Sequence, residues 1–154
     1  MPAKLAQQGH RVTSVDSSAV GLQKANALAA SRGVALTTLQ VDLADWSPEA
    51  ASFDAVVLVF THLPQHIRQS AHRRLAQGLR TGGLLLLEAF HPDQLSHASG
   101  GPKDAAMLYL PALLEADFGA MLTPLLAWHG DITLAEGVGH QGLACVTRWV
   151  GQQI

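Results

Sequence analysis

The sequence predicts an α/β fold, a doubly wound and largely parallel sheet that closes with a C-terminal antiparallel hairpin. Three features predict it. Apolar runs alternate with helix-period segments in the order β-α-β-β-α-β. Two of those runs, Phe53 to Phe60 (FDAVVLVF) and Leu84 to Glu88 (LLLLE), are almost continuous, as expected of strands buried on both sheet faces. The last third then changes character, to two long strand candidates joined by a glycine-rich turn.

Taken in order, Met1 to Gln8 is built from helix formers and followed by Gly9, which suits the left-handed position just past a helix end, so it reads as the tail of a longer helix. Arg11 to Val15 is a short strand ending in Asp16. Ser17 or Ser18 caps the next helix, whose apolar face is Leu22, Ala25, Leu28 and Ala29, and Gly33 ends it. Val34 to Val41 is strand-like and closes on Asp42, Leu43, Ala44 and Asp45. A polar linker with Pro48 leads to the strand at Phe53 to Phe60. Pro64 fits the first turn of a helix whose face is Ile67, Ala71, Leu75 and Leu79. Thr81, Gly82 and Gly83 turn the chain into Leu84 to Glu88. A loop with Gly100, Gly101 and Pro102, a short helix near Pro111 to Phe118, and strands at roughly Leu125 to Leu134 and Gly142 to Val150 complete it.

Composition narrows the function. With 154 residues, 48% apolar and 14% charged, the chain suits one domain over 1–154 with a real core, and disorder is excluded. A formal charge of -2, with ten Lys and Arg scattered rather than striped, gives no footprint for nucleic acid. No apolar run approaches the ~18 residues of a membrane span, and the N-terminus lacks a signal-peptide layout, so a cytoplasmic protein is expected. Cys145 is the one cysteine; it predicts a plain core residue and neither a disulfide nor a Cys-based metal site.

The informative acid is Asp16. At the carboxyl end of the second strand of a nucleotide-binding α/β unit, a carboxylate accepts hydrogen bonds from ribose hydroxyls, while a glycine-rich turn after the first strand cradles the rest. Only eleven residues precede its apolar part, Val12 to Val15, and that glycine turn is absent from them. A helix-capping Asp is the competing explanation.

The segments GHRVTSVDSS (Gly9 to Ser18), LQVDLADW (Leu39 to Trp46), FDAVVLVFTHLP (Phe53 to Pro64) and LRTGGLLLLEAF (Leu79 to Phe90), in this order and spacing, resemble the class I S-adenosylmethionine-dependent methyltransferases. SGGPKD (Ser99 to Asp104) and the terminal hairpin resemble their small tellurite-resistance and thiopurine-methyltransferase-like group. The resemblance implies a Rossmann-like sheet in the order 3-2-1-4-5-7-6, with the seventh strand antiparallel. It also implies that this chain is N-terminally truncated, lacking the first strand and its glycine motif.

For function the resemblance implies S-adenosylmethionine as cofactor and a small-molecule methyl acceptor. Asp16, with Ser17, would take the ribose, Asp42 the adenine amino group, and the Leu43 N–H a ring nitrogen; Asp45 competes with Asp42, and both acids could simply cap the turn. Phe60, Thr61 and His62 would pass the methionine end of the donor, largely by their backbone. Glu88, His91 and Lys103 are candidates to face an acceptor, against a salt bridge or loop hydrogen bond for the first two and an ordinary turn, rather than a lid, for the Gly100 to Lys103 segment. No residue is assigned a catalytic role.

Other signals have plainer explanations. His62 and His66 stand four apart as metal ligands can, yet a pocket-lining His62 and a solvated His66 explain them, and no metal is expected. His72 falls out of phase with that pair. Arg68, Arg73 and Arg74 form a solvated basic side, and Trp46, Trp128 and Trp149 pack in the core or at its rim. Loss of a central strand would leave the strands ending at Asp16 and Phe60 with bare edges, open to self-association. Two alternatives to an enzyme active in this form remain. One is a non-catalytic pseudoenzyme or association subunit of the same fold. The other, a nicotinamide-dependent dehydrogenase fragment, explains Asp16 but not the hairpin, and Tyr109, the only tyrosine, has no lysine after it.

Overall fold

In the computed structural model, which describes residues 1–135 and 141–154, the chain forms two units, Met1–Trp46 and Ser47–Ile154. Both are α/β, and together they carry the Rossmann-like succession of elements that the sequence predicts.

The first unit follows local signals closely. Helix α1 (Pro2–Gln7) stops at Gln8, and Gly9 takes φ +91°, a conformation that costs glycine little. Strand β1 (Thr13–Asp16) leads into α2 (Ala19–Ser31), where Ser18 is the cap: its Oγ accepts the Gly21 N–H at 3.0 Å. Strand β2 (Thr37–Gln40) pairs parallel with β1, Asp16 standing opposite Gln40. One expectation fails here. Leu28 is 42% exposed, because Leu22 and Ala29, two turns apart, hold a narrow buried stripe and Leu28 lies to one side of it.

The second unit holds a four-stranded sheet in the order β3-β4-β6-β5, formed by β3 (Phe53–Val59), β4 (Leu79–Phe90), β5 (Leu122–Ala135) and β6 (Gln141–Gln153). β3 and β4 are parallel and joined through α3 (Gln65–Gln77); β6 runs antiparallel to both β4 and β5. The hairpin is longer than predicted, and its glycine-rich turn lies outside the described residues. Helix α4 (Pro111–Phe118) precedes β5, and short 3-10 helices occupy Pro92–Ser96 and Ala105–Met107. No helix among the described residues is long and apolar enough to cross a membrane.

Four expectations are corrected in this unit. Pro64 is the residue before α3 rather than in its first turn, extended at ψ 144°. Thr81, Gly82 and Gly83 do not end a segment; they lie inside β4, where the register with β3 shifts between Phe53 and Ala55 and Gly82 takes φ +78°. A bulge, not a turn, uses the two glycines. Nor are β3 and β4 buried on both faces. Leu58, Leu85, Leu87 and Ala89 are buried, whereas Val57 and Leu86, register partners on the opposite face, are exposed.

The basic side of α3 is corrected too. Arg68 is buried rather than solvated, while Arg73 is exposed as expected; Asp117 of α4 accepts at Oδ2 from Arg68 Nε and from Nδ1 of the buried His72, each at 2.8 Å. The ring of His72 stacks on Phe118 (centroids 4.7 Å apart), which stacks in turn on the fully buried Trp149 of β6 at 5.1 Å. Charge pairing and ring stacking thus tie α3 and α4 to the same side of the sheet.

Candidate functional site

In the first unit the parallel register sets Asp16 and Asp42 at the carboxyl ends of adjacent strands, Asp42 two residues beyond the partner of Asp16. This is where open α/β sheets bind ligands. Each acid also shapes its turn. Asp16 Oδ1 accepts the Ser18 N–H at 2.9 Å, and Asp42 Oδ1 accepts the Ala44 N–H at 2.8 Å. A carboxylate has about four lone-pair sites, so a turn bond to one oxygen leaves capacity for a donor from a ligand. Gly21 supplies clearance: a Cβ there would come within 2.9 Å of Asp16 Oδ2. Ser17 is held by its carbonyl, which accepts from Gln40 Nε2 at 3.2 Å. Leu43 lies in the turn that follows, closed by the Asp45 and Trp46 N–H groups on the Asp42 carbonyl.

In the second unit the segment after β3 is backbone-specified. Phe60 has φ +50°, a left-handed conformation that costs a bulky side chain free energy and clusters at functional turns. Its N–H donates to the Glu88 carbonyl at 2.8 Å, and its ring stacks on Phe90 at 4.6 Å. Tyr109, buried completely, clamps the next residues: its hydroxyl accepts the Leu63 N–H at 2.7 Å and donates to the Thr61 carbonyl at 3.2 Å. Burial chiefly raises the phenol's pKa, so the donating proton stays in place. His62 is equally committed. Its Nδ1 faces the Met107 carbonyl at 2.6 Å and must be the donor there, while Nε2 accepts the Phe90 N–H at 3.3 Å. Burial lowers its pKa more than the Met107 carbonyl raises it, which fits a neutral ring with both nitrogens used. His62 therefore positions this loop, and His66 is exposed.

The three residues expected to face an acceptor are not alike. Glu88 Oε2 takes the Arg148 Nε at 2.6 Å, and the Arg148 guanidinium also lies 5.5 Å from the Trp128 ring, so a salt bridge accounts for Glu88. His91 is buried, accepts the Asp93 N–H at 3.2 Å and stacks on His129 at 4.4 Å. Lys103 is exposed. Before it, the Gly100 carbonyl accepts from Gln94 Nε2 at 3.1 Å, and Gly101, at φ +90°, sits where a Cβ would be 2.7 Å from the Phe90 ring. Sequence reasoning missed Tyr109 and the Arg68, His72 and Asp117 cluster. Each partner lies about forty residues or more away in the chain, beyond any local periodicity.

Residues 1–83, more than half of the chain, match the family described as "Methyltransferase domain". No curated protein matches the sequence. Among solved structures, an S-adenosylmethionine-dependent methyltransferase from Methanosarcina mazei is similar at TM-score 0.71 and 15% identity, over 98% of this chain and 85% of that one. TehB from Haemophilus influenzae is similar at TM-score 0.72 and 16% identity over 97% of this chain, which spans 52% of TehB. The N-methyltransferase NodS from Bradyrhizobium japonicum, in complex with S-adenosyl-L-homocysteine, gives TM-score 0.66 and 12% identity over 93% and 66% of the two chains. At these identities the likeness is one of fold.

Proposed function

The chain belongs to the methyltransferase-domain family, and from that premise we propose that it carries methyl groups from S-adenosylmethionine to a small-molecule acceptor. The observation that supports this best is the pair of carboxylates, Asp16 and Asp42, at the carboxyl ends of adjacent parallel strands within the matched residues. Asp16 with Ser17 takes the ribose hydroxyls; Asp42 accepts from the adenine amino group, and the Leu43 backbone reaches a ring nitrogen.

When bound, the donor would supply a methyl carbon activated by its sulfonium for transfer to a nucleophile of the acceptor. What the protein adds is position, since holding two reactants in line supplies much of such a rate. Asp16 and Asp42 fix the adenosine by charge-assisted bonds, and the Tyr109 and His62 contacts hold the 60–63 backbone in one conformation. The order of motifs, the Ser99 to Asp104 segment and the hairpin resemble the tellurite-resistance and thiopurine-like group, which supports a small-molecule acceptor.

Calorimetric titration with S-adenosylhomocysteine tests this, because the product binds without an acceptor. Micromolar binding is expected, weakened ~10-fold or more, about 1.4 kcal/mol, by Asp16→Ala or Asp42→Ala. Asp42→Asn keeps an oxygen for the Ala44 N–H and separates loss of charge from loss of the turn. No binding by a folded chain would overturn the proposal. It would favour the second reading, an association subunit, which β1 and β3 support because each is hydrogen-bonded to one strand only among the described residues. A clean monomer in sedimentation would count against that second reading.

A further inference from the structure

Residues directly opposite one another on antiparallel strands share a sheet face, and in the second unit this rule lines up three reactive side chains. Asp131 of β5 is the register partner of Cys145 of β6. On the other side of β6, the His91 N–H donates to the Cys145 carbonyl at 3.0 Å, continuing the β4 ladder by one residue. The 3-10 helix at Pro92–Ser96 then turns the chain back and brings Asp93 Oδ2 to 3.3 Å from His91 Nδ1. One ligand atom from each of His91, Asp93 and Cys145 lies within 4.8 Å of the other two.

We propose that His91, Asp93 and Cys145 bind a divalent ion of the zinc class. A thiolate, an imidazole and a carboxylate are donors that suit Zn²⁺, whereas Mg²⁺ and Ca²⁺ take oxygen shells. His91 Nδ1 lies 3.3 Å from Asp93 Oδ2 and accepts the Asp93 N–H at 3.2 Å, a bond that an ion taking the Nδ1 lone pair would replace. That 3.3 Å separation matches the edge of a tetrahedron with ~2.0–2.2 Å bonds, roughly 3.3–3.6 Å. The His91 ring is held flat against His129, with 8° between their planes, so its orientation is set before any ion arrives. His91 and Cys145 are buried and Asp93 reaches solvent, which gives the ion a way in. Three protein donors leave a fourth position for water. Zn²⁺ takes a thiolate, so binding displaces the Cys145 proton.

The test is titration of the chelator-treated protein with Co²⁺ and Zn²⁺. One equivalent of Co²⁺ is expected to bind with a thiolate-to-cobalt absorption band, to release about one proton at neutral pH, and to be displaced by Zn²⁺. Cys145→Ser removes the band. Asp93→Asn, at an exposed position that packing does not depend on, weakens Zn²⁺ binding at least ~10-fold, since even the outer partners of metal ligands are worth 10–100-fold. His66→Ala, an exposed histidine outside the cluster, changes nothing. Saturating Co²⁺ without a thiolate band, or Asp93→Asn binding Zn²⁺ as tightly as the parent, overturns the proposal.

Discussion

Replacing Asp117 with Asn removes the one negative charge that faces two buried cation-capable groups. In the native chain its side chain is 2% exposed, and Arg68 and His72 both donate to the same oxygen. Breaking a buried pair by removing one partner costs about 3–5 kcal/mol, because the remaining charge is left without compensation. With a urea m-value of ~1.5–2 kcal/mol/M, 4 kcal/mol would lower the midpoint by roughly 2–2.7 M. Equilibrium urea unfolding followed by tryptophan fluorescence reads this directly, since Trp149 stacks on Phe118, the residue after Asp117. The control is Asp54→Asn, which breaks the exposed Arg80–Asp54 pair and is expected to cost ~1 kcal/mol or less. Equal midpoints for the two variants would refute the reasoning from burial. The same cluster sets an acid limit. Burial raises the Asp117 pKa, but hydrogen bonds from His72 and Arg68 outweigh it and hold the carboxyl below its ordinary 3.8. A folded pKa below the unfolded one means that this stabilisation is fully present above pH ~4 and is lost as pH falls through the folded value. Asp117→Asn should therefore flatten the parent's stability loss in that window.

Two further outcomes are expected. Tyr109→Phe leaves the Leu63 N–H without its buried acceptor and should cost ~1–3 kcal/mol in urea unfolding, with faster hydrogen exchange at Leu63; unchanged exchange would show that the hydroxyl does not hold the loop. Gly101→Ala adds a Cβ 2.7 Å from the Phe90 ring at φ +90°, and should lower stability by ~1–3 kcal/mol by the same assay, whereas Gly9→Ala, with nothing within 4 Å, suffers only the conformational part.

What could be read from the sequence was whatever depends on neighbours in the chain. Ser18 as a cap, Gly9 past a helix end, β1 ending at Asp16 and the apolar run of β3 each follow from a few adjacent residues. The acids Asp16 and Asp42 were visible because strand ends are local events. Arg68 read as solvated because nothing near it in sequence announces Asp117. His91, Asp93 and Cys145 were unreadable as a group for the same reason: only the pairing of β4 with β6, continued at His91, sets Cys145 beside the other two. The Thr81 to Gly83 segment misled for a different reason, since glycines serve bulges as readily as turns.

β6 lies inside the sheet of the second unit although it follows β5 in the chain. The hairpin of β5 and β6 is a near-neighbour contact that can form early, but the unit is complete only when that hairpin swings its inner strand onto β4, across all the sequence between them. Chain entropy makes such a long-range search slow. Until it succeeds, β4 offers one open row of backbone donors and acceptors, and Trp149, which anchors the helices in the finished unit, has no seat. Docking of β6 onto β4, rather than the growth of any helix, is therefore the expected slow step of folding, and the half-formed sheet the state expected to aggregate most readily.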